Sequence, residues 1–186
     1  MKYFPKIKGK NLYLSPINPD DYELYTKWIN DLSTSIPLGG ATMTYSLMKE
    51  KELLEKISRE ENMFAIIDTA SNEAIGNCSL FNLNQIHGTA ELGIFLGAAE
   101  SRGKGYGSEA IELLLNYGFK MLNLHNIKLG VFSFNERGIS CYEKCGFKEF
   151  GRRREAFRIN GRYFDEVHMD ILEQDFDPDF VIEELP

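Results

Sequence analysis

The chain has little of what many site chemistries require. Three histidines and three cysteines are scattered through 186 residues. Cys141 and Cys145 are four apart, on one face of a helix, but no histidine or second cysteine pair completes a zinc spacing. No metal site is expected, and so odd and sparse a cysteine set reads as reduced thiols rather than a disulfide framework. His87, His125 and His168 stand alone in the sequence and read as surface or core residues. No apolar run approaches the roughly 18–20 residues of a membrane span, so no membrane partner is expected. The opening M-K-Y-F-P-K-I-K-G-K is basic, but no apolar h-region or small-residue cleavage site follows it. A signal peptide is therefore not expected, and a cytoplasmic location is.

What is present is an ordinary globular composition, 43% hydrophobic and 26% charged. The length suits one domain, placed at residues 1–172, followed by an acidic tail at 173–186. The net charge of −7 comes largely from that tail, in which E-Q-D-F-D-P-D-F-V-I-E-E-L-P carries six acids and no base. A cluster of Arg152, Arg153, Arg154, Arg158 and Arg162 raises nucleic acid as a partner. Its neighbours lack an RNA-binding signature, so it reads as a charged strand face and no nucleic-acid partner is expected.

Hydrophobic periodicity sets out the elements in order. Leu12 to Ile17 alternates like a short strand, and Pro19, Asp20 and Asp21 open a helix with Tyr22, Tyr25 and Ile29 at helical spacing. After Gly39-Gly40, a candidate lid or plain connection, a second helix is expected over Tyr45 to Arg59 with Leu47, Leu54 and Ile57 as its apolar stripe. Met63 to Asp68, Ala74 to Leu83 and Thr89 to Leu96 read as strands separated by short turns, which implies an antiparallel meander. A helix with Ile111, Leu114, Leu115, Gly118 and Leu122 on one face then leads to a strand over Ile127 to Phe132. Strand, loop, helix, strand is a crossover, so those flanking strands should run parallel. A helix that Asn135 could cap and Gly146 could end follows, then strands over Lys148 to Arg154 and Val167 to Leu172 joined through Asn160-Gly161. The fold class is a mixed α/β domain whose sheet is largely antiparallel.

The chemistry concentrates between Glu91 and Ser108, E-L-G-I-F-L-G-A-A-E-S-R-G-K-G-Y-G-S. A strand runs into glycines at 103, 105 and 107, and Ser108 stands at the start of a helix. Backbone N–H groups at such a turn approach a phosphate closely, and the helix dipole favours negative charge there. Gly97 and Gly103 are one residue too far apart for a Walker A loop, and no Ser or Thr follows Lys104 to hold magnesium. A dinucleotide fingerprint would need glycine where Ser108 stands and an early βαβ unit.

The spacing that does fit is R-x-x-G-x-G, Arg102, Gly105 and Gly107. With N-E-R-G-I-S-C-Y-E-K-C-G-F downstream and this order of elements from about 11 to 172, the chain resembles the GNAT superfamily of N-acetyltransferases. The closing E-A-F-R-I-N-G-R-Y-F-D-E-V-H-M-D-I-L is most similar to its ribosomal-protein and spermidine-type branch. The resemblance implies a central sheet whose parallel strand pair splays apart, acetyl-CoA as cofactor, and acetyl transfer to a primary amine by direct attack in a ternary complex. The acceptor is either a protein N-terminus or a small polyamine-like amine, and the protein a monomer or homodimer. It places the pyrophosphate on Arg102, Gly103, Lys104, Gly105, Tyr106, Gly107 and Ser108, and the pantetheine arm on Ile94, Phe95 and Leu96. Asn135 takes a cofactor-contacting position, compatible with its role as a cap. Tyr142 takes the general-acid position, against the alternative of a core aromatic. Glu91 is the candidate base, against the alternative of an outward-facing strand carboxylate. The other reading of the whole is a non-catalytic module that binds coenzyme A.

Overall fold

The computed structural model describes residues 1–177. Ile7–Lys8 (β1) is too short to leave a pattern in the sequence, and it pairs with Leu12–Pro16 (β2), where alternation predicts a strand. Asn18 caps a single 3₁₀ turn, Pro19–Asp21, and the α-helix proper is Tyr22–Asn30 (α1). Leu32–Ser35 (α2) is a further turn of helix, which Asp31 caps by accepting from the Ser33 N–H at 2.8 Å. Leu47–Ile57 (α3) starts on Ser46, whose hydroxyl accepts from the Lys49 N–H at 3.2 Å. Its stripe differs from expectation: Leu54 is buried, Leu47 at the overhanging first position is exposed, and Glu50 is buried instead.

Met63–Asp68 (β3), Glu73–Asn84 (β4) and Thr89–Leu96 (β5) form the expected meander. Tyr106–Lys120 (α4) begins two residues before Ser108, because Gly105 adopts a left-handed cap and lets the helix start at once. Asn126–Phe132 (β6) and Glu136–Lys144 (α5) follow, and Gly146 at φ 93° ends α5 as its sequence position suggests. Lys148–Ile159 (β7) and Arg162–Leu172 (β8) run well beyond their expected bounds. Their charged residues hide the strand pattern, but the left-handed pair Asn160 and Gly161 makes a tight hairpin that carries both strands on.

Among the described residues the sheet has eight strands in the order β1-β2-β3-β4-β5-β6-β8-β7, with β8 inserted between β6 and β7. Every pairing is antiparallel except β5 with β6. One face is covered by α4, whose Ala110, Ile111, Leu114 and Leu115 are buried and whose Gly118 lets Leu80 and Ile127 come close. Phe95, three residues beyond buried Leu92, faces the other side, where it meets Tyr25 and Trp28 of α1 edge-on at 6.0 and 6.2 Å. Among the described residues no helix covers that second face beyond β5, so Glu91 and Gly93 of β5, Lys128, Gly130 and Phe132 of β6, and Glu166 and His168 of β8 share an open surface. The start of the expected acidic tail packs down: Phe176 meets Phe119 at 5.4 Å, and Glu173 and Asp175 pair with Lys120 and Lys148. The remainder, 178–186, lies outside the described residues.

The end of β5 is anchored by a glycine. A Cβ at Gly97 would fall 2.1 Å from the Trp28 ring, so only a bare backbone lets the chain cross the indole. Gly97→Ala is expected to lower stability by about 1–3 kcal/mol, the usual range for overpacking, read as a drop in the urea midpoint at unchanged slope.

Candidate active site

The site is a parting of two strands. β5 and β6 pair in parallel only at Thr89↔Asn126, Ala90↔Ile127 and Glu91↔Lys128. From Leu92 on, β5 stays with β4 on one side, while β6 stays with β8 on the other. Among the described residues, the edge of β5 that faces the gap has no strand partner beyond Glu91, and Arg102 takes up the Leu96 carbonyl there. A cleft of about 660 Å³ opens there, lined among others by Leu92, Ile94, Phe95 and Leu96. The splay expected near Ile94, Phe95 and Leu96 is thus present in the register itself.

At one end of the cleft lies the glycine loop. Gly103 and Gly105 have φ of 77° and 86°, a region that side chains rarely adopt, although a Cβ on either would meet nothing within 4 Å. The constraint here is backbone conformation rather than space. Gly103, Gly105, Gly107 and Ser108 line the cleft, whereas Lys104 and Tyr106 do not. The first-turn N–H groups of α4 have no carbonyl within the helix to meet, and they point out of its N-terminus. The Ser108 hydroxyl turns back to donate to the Gly105 carbonyl at 3.1 Å.

Arg102 lines the cleft too, and the protein itself holds its guanidinium. Its Nε and Nη2 donate to the Leu96 carbonyl at 3.2 and 3.1 Å, while Nη2 and Nη1 donate to Thr34 Oγ1 at 2.7 Å and Ser33 Oγ at 3.3 Å. One guanidinium therefore joins the loop to the end of β5 and to α2. The cationic side chains that the sequence reading did not pick out are Arg137 and Lys144 of α5, which line the same cleft.

α5 brings Asn135 and Tyr142 to the cleft together. Asn135 caps the helix, its side chain accepting from the Gly138 N–H at 3.1 Å. Tyr142 packs edge-on to Phe147 at 5.8 Å, so the core-aromatic reading describes its ring, while the residue also lines the cleft. Burial, reinforced by the neighbouring Cys141 and Cys145, pushes its phenol well above the ordinary range. It stays protonated throughout the neutral range. Cys141 also lines the cleft, and its hydrogen bond with Cys145 lowers its thiol while raising that of Cys145.

Glu91 lines the opposite end. Its Oε1 lies 3.1 Å from Lys128 Nζ and accepts from Asn82 Nδ2 at 3.2 Å. Burial would raise its carboxyl, but these two partners outweigh that and hold it below the usual carboxylate range. Phe81, Gly93, Gly130, Phe132, Leu38 and Glu166 complete this end. The sequence reading passed over them, although glycine inside the strand runs E-L-G-I-F and I-K-L-G-V-F is a recognisable sign of close approach. Within the arginine cluster, Arg152 binds Glu149 at 2.7 Å, and Arg158 and Arg162 lie over Tyr163 and Phe164.

A family model described as an acetyltransferase (GNAT) domain matches residues 11–148. The chain belongs to the GNAT family of acetyltransferases. It is 40% identical over 111 residues to a spermidine N(1)-acetyltransferase of Vibrio cholerae, a match that spans 60% of this chain and 64% of that enzyme's length. It is 32% identical over 180 residues to the probable N-acetyltransferase YjcK of Bacillus subtilis, covering 91% of this chain and 98% of YjcK. The crystal structure of a Vibrio cholerae spermidine N-acetyltransferase in complex with CoA and spermine superposes with a TM-score of 0.79 at 32% identity, over 90% of this chain and 98% of that one. Membership of the GNAT family makes acetyl-CoA the cofactor, and the cleft fits it. A helix start of the kind that suits an anion stands at one end, a strand edge without a strand partner runs along the middle, and there is room between them for an extended molecule.

Because Arg102 satisfies a carbonyl and two hydroxyls at once, Arg102→Ala is expected to cost about 1–3 kcal/mol of stability. The measurement is chemical unfolding. A cost much below this range would mean that water replaces the guanidinium without loss.

Proposed function

We propose that this GNAT protein acetylates the primary amino group of a small, polyamine-like cation by direct attack within a ternary complex. The observation that carries the acceptor class is the far end of the cleft, where the carboxylates of Glu91 and Glu166 sit among the apolar surfaces of Phe81, Phe132 and Leu38. Negative charge set between greasy walls suits an acceptor whose amino groups are separated by methylenes. Similarity to spermidine acetyltransferases of Vibrio cholerae and Escherichia coli, 40% and 31% identical, supports the same class.

Bound in the cleft, acetyl-CoA supplies an acetyl group already activated as a thioester. Backbone N–H groups from Gly103 to Gly107, with Ser108 in the first turn of α4, hold its pyrophosphate, and Arg137 and Lys144 add the positive charge. The unpaired edge of β5 over Ile94, Phe95 and Leu96 orients the arm, and one N–H aimed at the acetyl oxygen contributes roughly 3–4 kcal/mol as negative charge develops there. Asn135 places α5 so that Tyr142 holds a proton at Oη for the departing thiolate. The same burial that keeps the phenol protonated makes its transfer to sulfur less favourable, so a large part of its effect is hydrogen bonding to the developing thiolate. Glu91, held in its charged form by Lys128 and Asn82, attracts the ammonium and orders a water that carries the amine's proton to solvent. A carboxylate with so low an affinity for protons passes them on rather than storing them.

Thiol release from acetyl-CoA, measured across spermidine, 1,4-diaminobutane, an amino sugar and an N-terminal peptide, is expected to be fastest with the first two. Preference for the peptide would transfer the reading to protein N-termini, and no release with any amine would favour a module that only binds coenzyme A. Tyr142→Phe is expected to lower kcat about 10²–10⁴-fold with acetyl-CoA affinity retained. In the unaltered protein, kcat should not fall as pH passes 10.0, the ordinary tyrosine value, because the raised phenol is still protonated there. A descending limb centred at or below that pH would assign the proton to another group.

A further inference from the structure

The two carboxylates at the acceptor end are in unequal states. Glu91 already has Lys128 and Asn82 at hydrogen-bonding distance. Glu166 does not: its nearest cationic atoms are His168 Nε2 at 3.6 Å and Arg153 Nη1 at 3.9 Å, both beyond hydrogen-bond reach. The Arg153 side chain is 72% exposed, so its charge is largely screened by water, whereas Glu166 is 27% exposed and lines the cleft.

The position of that carboxylate is imposed by its surroundings. Glu166 belongs to β8 and stands opposite Phe132 of β6. Phe132 is locked in place, tilted against Phe157 at 4.4 Å and stacked on Phe134 at 5.7 Å, so the glutamate finds no room directly across. It leans diagonally over Gly130 instead, where a Cβ would come 2.8 Å from its Oε1. Glycine weakens a strand interior relative to alanine. Here its absent side chain is what admits a carboxylate to the acceptor side of the parted strands.

We propose that Glu166, seated over Gly130, is a specificity-determining residue that accepts a second ammonium group of the acceptor, a few bonds from the amine that reacts. This assignment rests on the polyamine-like reading above. Glu91, next to the point where β5 and β6 part, faces the reacting amine, and Glu166, reaching across from the strand beyond β6, faces the distal one. Phe132 and Phe81 cover the methylenes between. Lys128 and His168 also face this surface. Lys128 is compensated by Glu91, whereas Glu166 has only the longer contacts to His168 at 3.6 Å and to the exposed Arg153 at 3.9 Å, so it is the more weakly paired of the two carboxylates there.

The test compares kcat/KM for spermidine and 1,4-diaminobutane with that for n-butylamine, which has the chain but lacks the second charge. In the unaltered protein the diamines should be preferred. Glu166→Gln is expected to lower the diamine-to-butylamine ratio about ten- to a hundredfold, the scale of one charged hydrogen bond, with the change in KM rather than kcat. Gly130→Ala, which keeps the charge but displaces it, should lower the same ratio. Acetyl-CoA affinity and the unfolding midpoint confirm that both variants are folded. A diamine-acetylating protein whose ratio is unmoved by either substitution overturns this assignment alone. A protein that shows no preference for diamines before any substitution overturns the polyamine reading and this assignment with it.

Discussion

The parting of β5 from β6 is the constraint on which the rest depends. Parallel pairing lasts for three residue pairs and stops at Glu91↔Lys128. Had it continued, the backbone groups of β5 would be consumed by β6, and the cleft would be an ordinary sheet interior. The two strands diverge because each has a stronger claim elsewhere. β5 follows β4 in register through Leu96, and β6 follows β8 through Phe132. Antiparallel ladders on both sides hold the strands in place, and the parallel pair between them yields.

Holding a sheet open exposes polar backbone, and the surroundings of the gap are built to keep it from collapsing. Trp28 of α1 lies across Gly97 at the end of β5, and Phe95 meets the same indole. Arg102 then takes up the Leu96 carbonyl and links it to the hydroxyls of Ser33 and Thr34. Arg102, which lines the cleft, thus also fixes the strand end. Positive potential near the glycine loop comes also from the helix start of α4 and from Arg137 and Lys144, which line the same cleft. The cleft is polarised accordingly, with Arg137 and Lys144 on α5 and Glu91 and Glu166 on the strands.

Several parts of this arrangement were legible in the residues themselves. The meander was readable because Met63–Asp68 and Thr89–Leu96 are apolar runs bounded by turns, and α4 because its apolar stripe has helical spacing. The glycines at 103, 105 and 107 and the stretch from Asn135 to Phe147 marked residues that line the cleft, since both depend on local backbone geometry. The long hairpin was readable only in part, because the arginines and glutamates of β7 obscure the strand period. The stripe of α3 was misjudged at Leu47 and Glu50, where what packs against a helix end matters more than its spacing.

The sequence by itself determined the order of the main elements, the family and the glycine loop, because each of these is written in residues close together along the chain. Only the tertiary structure decided where charges and side chains meet. Glu91 meets Lys128 across a parallel pair, Arg102 reaches back to α2, and Glu166 leans over Gly130. Those partners lie tens of residues apart, and their meeting follows from strand order and register, which no local pattern encodes. A glycine in a strand announces that something comes close, but the fold alone decides that it is a carboxylate.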